Sequence, residues 1–232
     1  NPYLPINAIV EEVIDETATI RTLVLTPAQV IPFVSGQFMQ LTMPGVGEAP
    51  FTPSSSPNKP EKLDFTILKM GGVTEELHKL KPGDQVGLRG PFGKGYPLDK
   101  LKGKEVLVIG GGCGLAPLRS LLYILFDSID QYKHVSIKYG AKSPGDLVYR
   151  DSYAQWASIP GVDFRETVDS GAADWTGNVG VVTTILDDPD ITIADSFVVS
   201  CGPEIMLKFV TEKLLEIGYS PEIGRASCRE RV

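Results

Sequence analysis

From Lys104 the chain reads KEVLVIGGGCGLAPLRSLLYILF, and this stretch limits the fold more than any other. VLVIGGG is an unbroken apolar run, the pattern of a strand buried on both faces by covering helices. The glycines stop the strand, and PLRSLLYILF resumes with apolar residues at helical spacing. Strand, glycine turn and helix in that order open a parallel α/β unit. The alternation then repeats: HVSIKYG as a strand, DLVYRDSYAQWA as a helix, VDFRETV as a strand, VGVVTTIL as a short helix, DSFVVSCG as a strand and PEIMLKFVTEKLLEIG as a helix. A doubly wound parallel sheet over residues 102–221 is the expectation. In the last helix Ile205, Met206, Phe209, Val210, Leu214 and Ile217 recur every three or four positions, which predicts a core-facing stripe.

Residues 1–101 have a different texture. NAIVEEVI, TIRTLVLT, GQFMQLTM, KLDFTILKM and DQVGLRG are short, β-branched or alternating, and separated by Pro, Gly, Asn and Ser clusters. Only the short TEELHKL reads as helix. This spacing predicts an antiparallel barrel or sandwich. A chain of 232 residues, 42% hydrophobic and 22% charged, is long enough for two modest cores.

The formal charge of -7 argues against a phosphate-tracking nucleic-acid surface, which needs clustered Lys and Arg. No apolar run is long enough for a membrane span, and NPYLPINAIVEEV lacks the layout of a signal peptide, so a cytoplasmic protein without membrane insertion is expected. Cys113, Cys201 and Cys228 are too few and too scattered for a disulfide framework or a four-thiolate metal site, and no metal ligand set is read. The tail EIGRASCRERV, residues 222–232, has no apolar periodicity and resembles the translation of a sequencing-adapter oligonucleotide. It is expected to be non-native and is set aside from the fold.

The glycine turn carries the first candidate chemistry. Gly110, Gly111, Gly112 and Gly114 let the backbone approach a pyrophosphate, and Pro117 suits a first helical turn. Free N–H groups and the helix dipole at that point favour an anion. A tight structural turn would have the same residues. The run departs from the G-x-G-x-x-G fingerprint at Ala116-Pro117, and the end of the second strand, in YGAKSPGD, lacks the acidic residue that would clamp a ribose 2'-hydroxyl, Asp146 coming only after Pro144-Gly145. Lys142 and Arg150 would attract a 2'-phosphate or serve as solvated surface charges, which leaves NAD and NADP both open. Cys201 ends an apolar strand just before Gly202-Pro203, where an open α/β sheet delivers residues to its ligand crevice; a buried inert cysteine is the alternative. With His78 and His134 in other segments, Cys201 is not read as a nucleophile. Glu11, Glu12, Asp187 and Asp188 read as solvated charge runs.

GGCGLAPLRS, VSCGPEIM, SGQFMQL, APFTPSSSP, GGVTEEL and LRGPFG occur in the order and spacing of the ferredoxin-NADP reductase family, which the chain resembles over residues 3–221. Within that family it is most similar to the flavin subunits of sulfhydrogenases (the gamma subunits) and of anaerobic sulfite reductase, with the electron-transfer subunit of dihydroorotate dehydrogenase more distant. The resemblance implies a two-domain fold: an antiparallel, six-stranded FAD-binding β-barrel over 1–101, then an NAD(P)-binding doubly wound α/β domain over 102–221, with the two redox rings meeting at the domain junction. It implies that Phe51, flanked by Pro50, packs on the isoalloxazine, and that Thr52 offers its hydroxyl or N–H to the flavin N5 side. Ser54 and Ile67 would contribute beside them. Gly71, Gly72, Val73 and Thr74 would cradle the FAD pyrophosphate, with Thr74 as helix N-cap. Ala49 stands where the family usually has Arg, so Lys69 is the expected substitute cation. LRGPFG is a structural turn. Gly110, Gly111, Gly112, Gly114, Leu115, Ala116 and Pro117, with Gly140, Ala141 and Lys142, would bind the pyridine nucleotide. Cys201, with Gly202, Pro203 and Met206, would hold the nicotinamide near its reactive carbon.

The expected activity is hydride exchange between NAD(P)H and FAD, with electrons passed to or from iron-sulfur and catalytic subunits of a larger redox complex. A [2Fe-2S] cluster is expected beyond residue 221 in a full-length protein, its ligands being absent from this sequence. A stand-alone NAD(P)H reductase serving ferredoxin or an oxygenase, and a flavin-less nucleotide-binding scaffold, are the alternatives.

Overall fold

The computed structural model describes residues 4–186, 192–220 and, for the backbone, 225–228. Asp187, Asp188 and most of the tail set aside above lie outside the described residues. The chain divides into two compact units, one running to residue 96 and including 119–124, the other covering 97–118 and the residues from 125 onward.

The first unit contains β1 (Ile6–Asp15), β2 (Ile20–Pro27), β3 (Phe38–Met43), β4 (Gly47–Phe51), β5 (Leu63–Leu68) and β6 (Gln85–Phe92), with α1 (Gly72–Leu77) between the last two. All pairings are antiparallel, in the order β4-β3-β6-β1-β2-β5. The outermost strands β4 and β5 are in contact, so the sheet curls closed as a barrel. Alternate residues point inward: Leu23 and Leu25 of β2, Leu41 of β3, Phe65 of β5 and Leu88 of β6 are fully buried in one core.

β4 is the strand that the residue pattern did not show. GEAPF is short and carries Pro50, which removes a ladder donor and is tolerated only at an edge or a bulge. The following residues, TPSSSP, read as a polar loop, yet Thr52, Pro53, Ser54 and Ser55 are buried. Ser54 and Ser55 bond to β5: the Ser54 amide donates to the Asp64 carbonyl at 2.8 Å, and the Asp64 amide donates to Ser55 Oγ at 3.1 Å. Ser54 Oγ and Thr66 Oγ1 lie 3.1 Å apart in the interior. This segment therefore seals the barrel where β4 and β5 lack a ladder of their own.

The second unit contains α2 (Leu98–Leu101), β7 (Glu105–Gly111), α3 (Leu115–Asp127), β8 (His134–Ala141), α4 (Tyr153–Ala157), β9 (Val162–Val168), β10 (Asn178–Val179), β11 (Ser196–Cys201), α5 (Glu204–Glu216) and β12 (Arg225–Cys228). The sheet is parallel throughout, in the order β10-β9-β8-β7-β11-β12. Val106, Leu107, Val108 and Ile109 of β7 are all buried, as expected for a central strand covered on both faces.

Four sequence expectations change here. Only residues 153–157 of DLVYRDSYAQWA are α-helical, preceded by a 3-10 turn at 150–152 and by Tyr149 in the left-handed region at φ 59°. Within VGVVTTIL, the helix reduces to a 3-10 turn at Val182–Ile185, and Val179 belongs to the two-residue strand β10. The α5 stripe is narrower than predicted. Val210 and Leu214 enter the core with Met206 and Ile217 packed against it, whereas Ile205 and Phe209 are 61% and 51% exposed. Ile205 and Phe209 lie one residue, about 100°, behind Met206 and Val210, off the buried line. Finally, Arg225–Cys228, set aside with the tail, forms β12 beside β11. Main-chain pairing of an edge asks no apolar pattern of the strand that adds to it.

Candidate nucleotide and flavin sites

In the second unit the strand order reverses direction beside β7: β8, β9 and β10 lie to one side, β11 and β12 to the other. The crevice at the carboxyl ends of β7 and β11 is the topological switch point of the sheet, where doubly wound folds take their ligands. Both sequence motifs arrive there, and Cys201 pairs in register with Gly110.

The glycines fall into two groups. A Cβ at Gly111 would lie 2.0 Å from Met206 Sδ, one at Gly114 2.5 Å from the Cys201 carbonyl oxygen, and one at Gly202 2.6 Å from Met206 Cε. Gly114 is required because the loop after β7 lies against the backbone of the loop after β11, whereas at Gly111 and Gly202 the crowding comes chiefly from the flexible end of Met206, which can turn aside. Gly112 is different. It has φ +53°, and a Cβ there would meet nothing within 4 Å, so its backbone faces open space. A 3-10 turn at Gly112–Gly114 leads into α3, with Pro117 as its third residue. Leu115 and Ala116 are buried and anchor the helix start.

Gly140, the penultimate residue of β8, lies with its Cα against Val182, where a Cβ would stand 2.9 Å from Val182 Cβ; Ala141 is buried and Lys142 is exposed. Cys201 is 1% exposed, so its thiol is held among neighbouring atoms. Pro203 precedes α5 and Met206 packs partly into the core below.

Tyr139 is the residue that motif reading missed. It is fully buried at the end of β8, donates its hydroxyl proton to the Gly112 carbonyl at 3.1 Å, and accepts the Val148 amide at 3.2 Å. Tyr153 donates to the Val148 carbonyl at 2.6 Å. A tyrosine in an apolar strand reads only as core, so no local signal marks it.

In the first unit, Phe51 ends β4 half-buried, packed on the core with Val73 and with part of its surface free. Pro50 beside it is exposed, and Thr52 is buried. Ser54 is fully buried with its hydroxyl engaged by Thr66, and Ile67 lies in the core. Gly71 has φ +138°, and Gly71 and Gly72 both have open space where a Cβ would stand. Thr74 is not the N-cap of α1. Gly71 holds that position, and Thr74 is the third residue of the helix. Its hydroxyl oxygen accepts the Met70 and Gly71 amides at 2.8 and 3.1 Å and donates to the Gly71 carbonyl at 2.8 Å. Thr74 thus shapes the glycine turn from within, and two of the turn's amides are already committed to it. Lys69 is exposed beside this turn. Ala49 leaves no cation on β4; the neighbouring Glu48 instead pairs with Arg89, with Arg89 Nε 3.0 Å from Glu48 Oε2, which holds the carboxyl below its ordinary range.

An open recess of about 620 Å³ in the same unit is lined by Val13, Asp15, Arg21, His78, Lys79, Leu80, Lys81 and Pro82, and shares no residue with these motifs. His78 Nε2 donates to the Ile67 carbonyl at 2.9 Å, and burial lowers its pKa, with Arg21 and Lys69 acting in the same direction.

A glycine-lined switch point in a doubly wound sheet, joined in one chain to an antiparallel barrel, is the architecture of a two-unit dinucleotide-binding protein. Residues 7–96 match the oxidoreductase FAD-binding domain and residues 108–212 the oxidoreductase NAD-binding domain. The chain belongs to the FAD- and NAD-binding oxidoreductases of ferredoxin reductase type. It is 35% identical over 192 residues to sulfhydrogenase 1 subunit gamma of Pyrococcus furiosus, an alignment covering 82% of this chain and 66% of that protein. It is 31% identical over 220 residues to a probable dihydroorotate dehydrogenase B (NAD(+)) electron transfer subunit of Methanocella arvoryzae, covering 93% and 76%. The fold is similar to that of an Amycolatopsis cytochrome P450 reductase, with a TM-score of 0.84 at 24% identity over 96% of this chain and 68% of that one. The chain thus spans about two thirds of the length of the sulfhydrogenase relative. Among the described residues no helix is long and apolar enough to cross a membrane.

Proposed function

We propose that the chain is the flavin- and nucleotide-binding part of an electron-transfer subunit, exchanging hydride between NAD(P)H and FAD and passing electrons to or from an iron-sulfur partner in a cytoplasmic complex. The observation that carries this reading is the interlock of Gly111, Gly114 and Gly202 at the β7/β11 switch point, in a chain whose first unit matches the FAD-binding domain. Bound FAD would supply the junction between two-electron and one-electron chemistry.

The residues present fit both groups. The free part of Phe51 offers an apolar platform to a flavin ring, and Thr52 follows it directly. The open backbone at Gly71 and Gly72 allows close approach of a pyrophosphate, with Lys69 as the nearby cation in place of the residue missing at Ala49. Gly112 offers the same access to the pyrophosphate of a pyridine nucleotide at the start of α3. Cys201 is a positioning residue in this reading: a small, polarizable side chain at a strand end restricts how a nicotinamide can lie. The relatives' names, a sulfhydrogenase gamma subunit and an electron transfer subunit, support assembly with redox partners.

A flavin-less scaffold is the second reading, favoured by Ala49 and by the commitment of the Met70 and Gly71 amides to Thr74. Purification separates the two. The electron-transfer reading expects a yellow protein, or one that turns yellow with added FAD, whose flavin absorbance bleaches on anaerobic addition of NADH or NADPH. A protein that stays colourless with FAD sinks it and supports the scaffold.

A further inference from the structure

We infer that Tyr139 is a positioning residue of the nucleotide site, coupling the glycine-rich loop to the 147–149 segment through its hydroxyl. The inference rests on the reading of the second unit as the pyridine-nucleotide site and names a residue to which the motif reading gave no role.

Gly110 and Tyr139 are register partners on β7 and β8. A Cβ at Gly110 would approach Tyr139 Cδ2 to 3.4 Å, so the ring lies against the start of the glycine loop. The hydroxyl bridges two backbone groups far apart in sequence, giving its proton to the Gly112 carbonyl and accepting the Val148 amide. Gly112 is the glycine whose backbone faces open space. Its left-handed conformation directs the following amides, and the tyrosine fixes its carbonyl.

The other end of the bridge is also held. Tyr153 donates to the Val148 carbonyl at 2.6 Å, so both polar groups of that peptide position are taken by tyrosine hydroxyls. The rings of Tyr139 and Tyr153 meet edge to face, with centroids 6.3 Å apart. Leu147, Val148 and Tyr149 are buried, and Tyr149 sits at φ 59°, a conformation that bulky residues adopt only where their surroundings impose it. In sequence this clamped segment lies between Lys142 and Arg150, exposed cations that would attract a 2'-phosphate or serve as solvated surface charges. Tyr139 therefore sets the distance between the loop that would hold the pyrophosphate and the loop that would hold the ribose.

The test is calorimetric titration of the purified full chain with ADP-ribose, which needs neither flavin nor hydride transfer, alongside steady-state reduction of ferricyanide by NADH and NADPH. Tyr139→Phe keeps the ring and removes the bridge. We expect ADP-ribose affinity to fall about 3- to 10-fold, KM for the preferred nucleotide to rise by a similar factor, and kcat to stay within twofold. Tyr153→Phe should shift affinity in the same direction, and it carries the decision alone if the first variant is insoluble. Unchanged ADP-ribose affinity with a lowered melting temperature overturns the inference and leaves Tyr139 as core packing. A wild-type chain that binds no ADP-ribose overturns the nucleotide-site reading along with it.

Discussion

A methyl group at Gly114 would lie 2.5 Å from the carbonyl oxygen of Cys201, and backbone cannot rotate away as a side-chain tip can. Gly114→Ala should therefore cost about 1–3 kcal/mol of stability by overpacking and weaken nucleotide binding at least tenfold, read by chemical denaturation and ADP-ribose titration. Gly72→Ala is the contrasting case. Nothing stands within 4 Å of its Cβ, and the position opens α1. The fold should be unaffected while FAD affinity falls; equal FAD binding by wild type and variant would remove Gly72 from the flavin site. The glycines were legible in the sequence, but their division into crowded and open positions was not, because it depends on a loop some 90 residues away in the chain. His78 adds a pH dependence. Burial pushes its pKa below the ordinary 6.5, so as pH falls the unfolded chain takes up the proton first and the folded state loses stability from about pH 6.5 downward. His78→Gln should flatten the fall in melting temperature between pH 7 and 5.5; an unaltered slope would assign that fall to other groups.

At the scale of elements, β8 and β9 share an ion pair whose lysine is fully buried. Lys138 Nζ lies 2.6 Å from Asp163 Oδ2, with Lys138 completely enclosed and Asp163 partly exposed. Removing the acid leaves a buried ammonium with Arg165 nearby, whereas replacing the lysine leaves an apolar contact. Asp163→Ala should lose about 3 kcal/mol or more and Lys138→Met much less, measured as urea midpoints. Loss of similar size from both would mean that the lysine stem's packing dominates. At the amino edge of the sheet, Asp195 before β11 pairs with Lys104 before β7 and Lys133 before β8. These lysines hold its carboxyl down to about 2, so the stability they lend is present above pH 3.8 and disappears as pH falls through 2. Asp195→Asn should flatten the acid limb of the stability profile in that window. None of these ties has a sequence signature, since each joins residues that only the strand order β9-β8-β7-β11 brings together. The apolar runs of β7 and β11, by contrast, were legible at once, because a central parallel strand is covered on both faces.

For the molecule as a whole, flavin and nucleotide occupancy should be separable. Phe51→Ala removes the free apolar surface at the end of β4 and should release FAD while ADP-ribose titration stays unchanged. Gly114→Ala should do the reverse, with flavin absorbance retained and nucleotide affinity lost. Loss of both ligands in either variant would show that one unit's ligand depends on the other's, contrary to two separately built sites.

Periodicity and glycine placement by themselves determined the pairing of an antiparallel unit with a doubly wound one, and the order of the motifs carried a resemblance to a family. They did so because burial along a single element is written in its own residues every two or every 3.6 positions. The tertiary structure alone decided that Thr52 to Ser55 close the barrel against β5, that Thr74 folds back into its own glycine turn, and that Tyr139 joins Gly112 to Val148. Such contacts satisfy buried polar groups across distant parts of the chain, and which groups meet is set by strand order and loop path rather than by any local pattern.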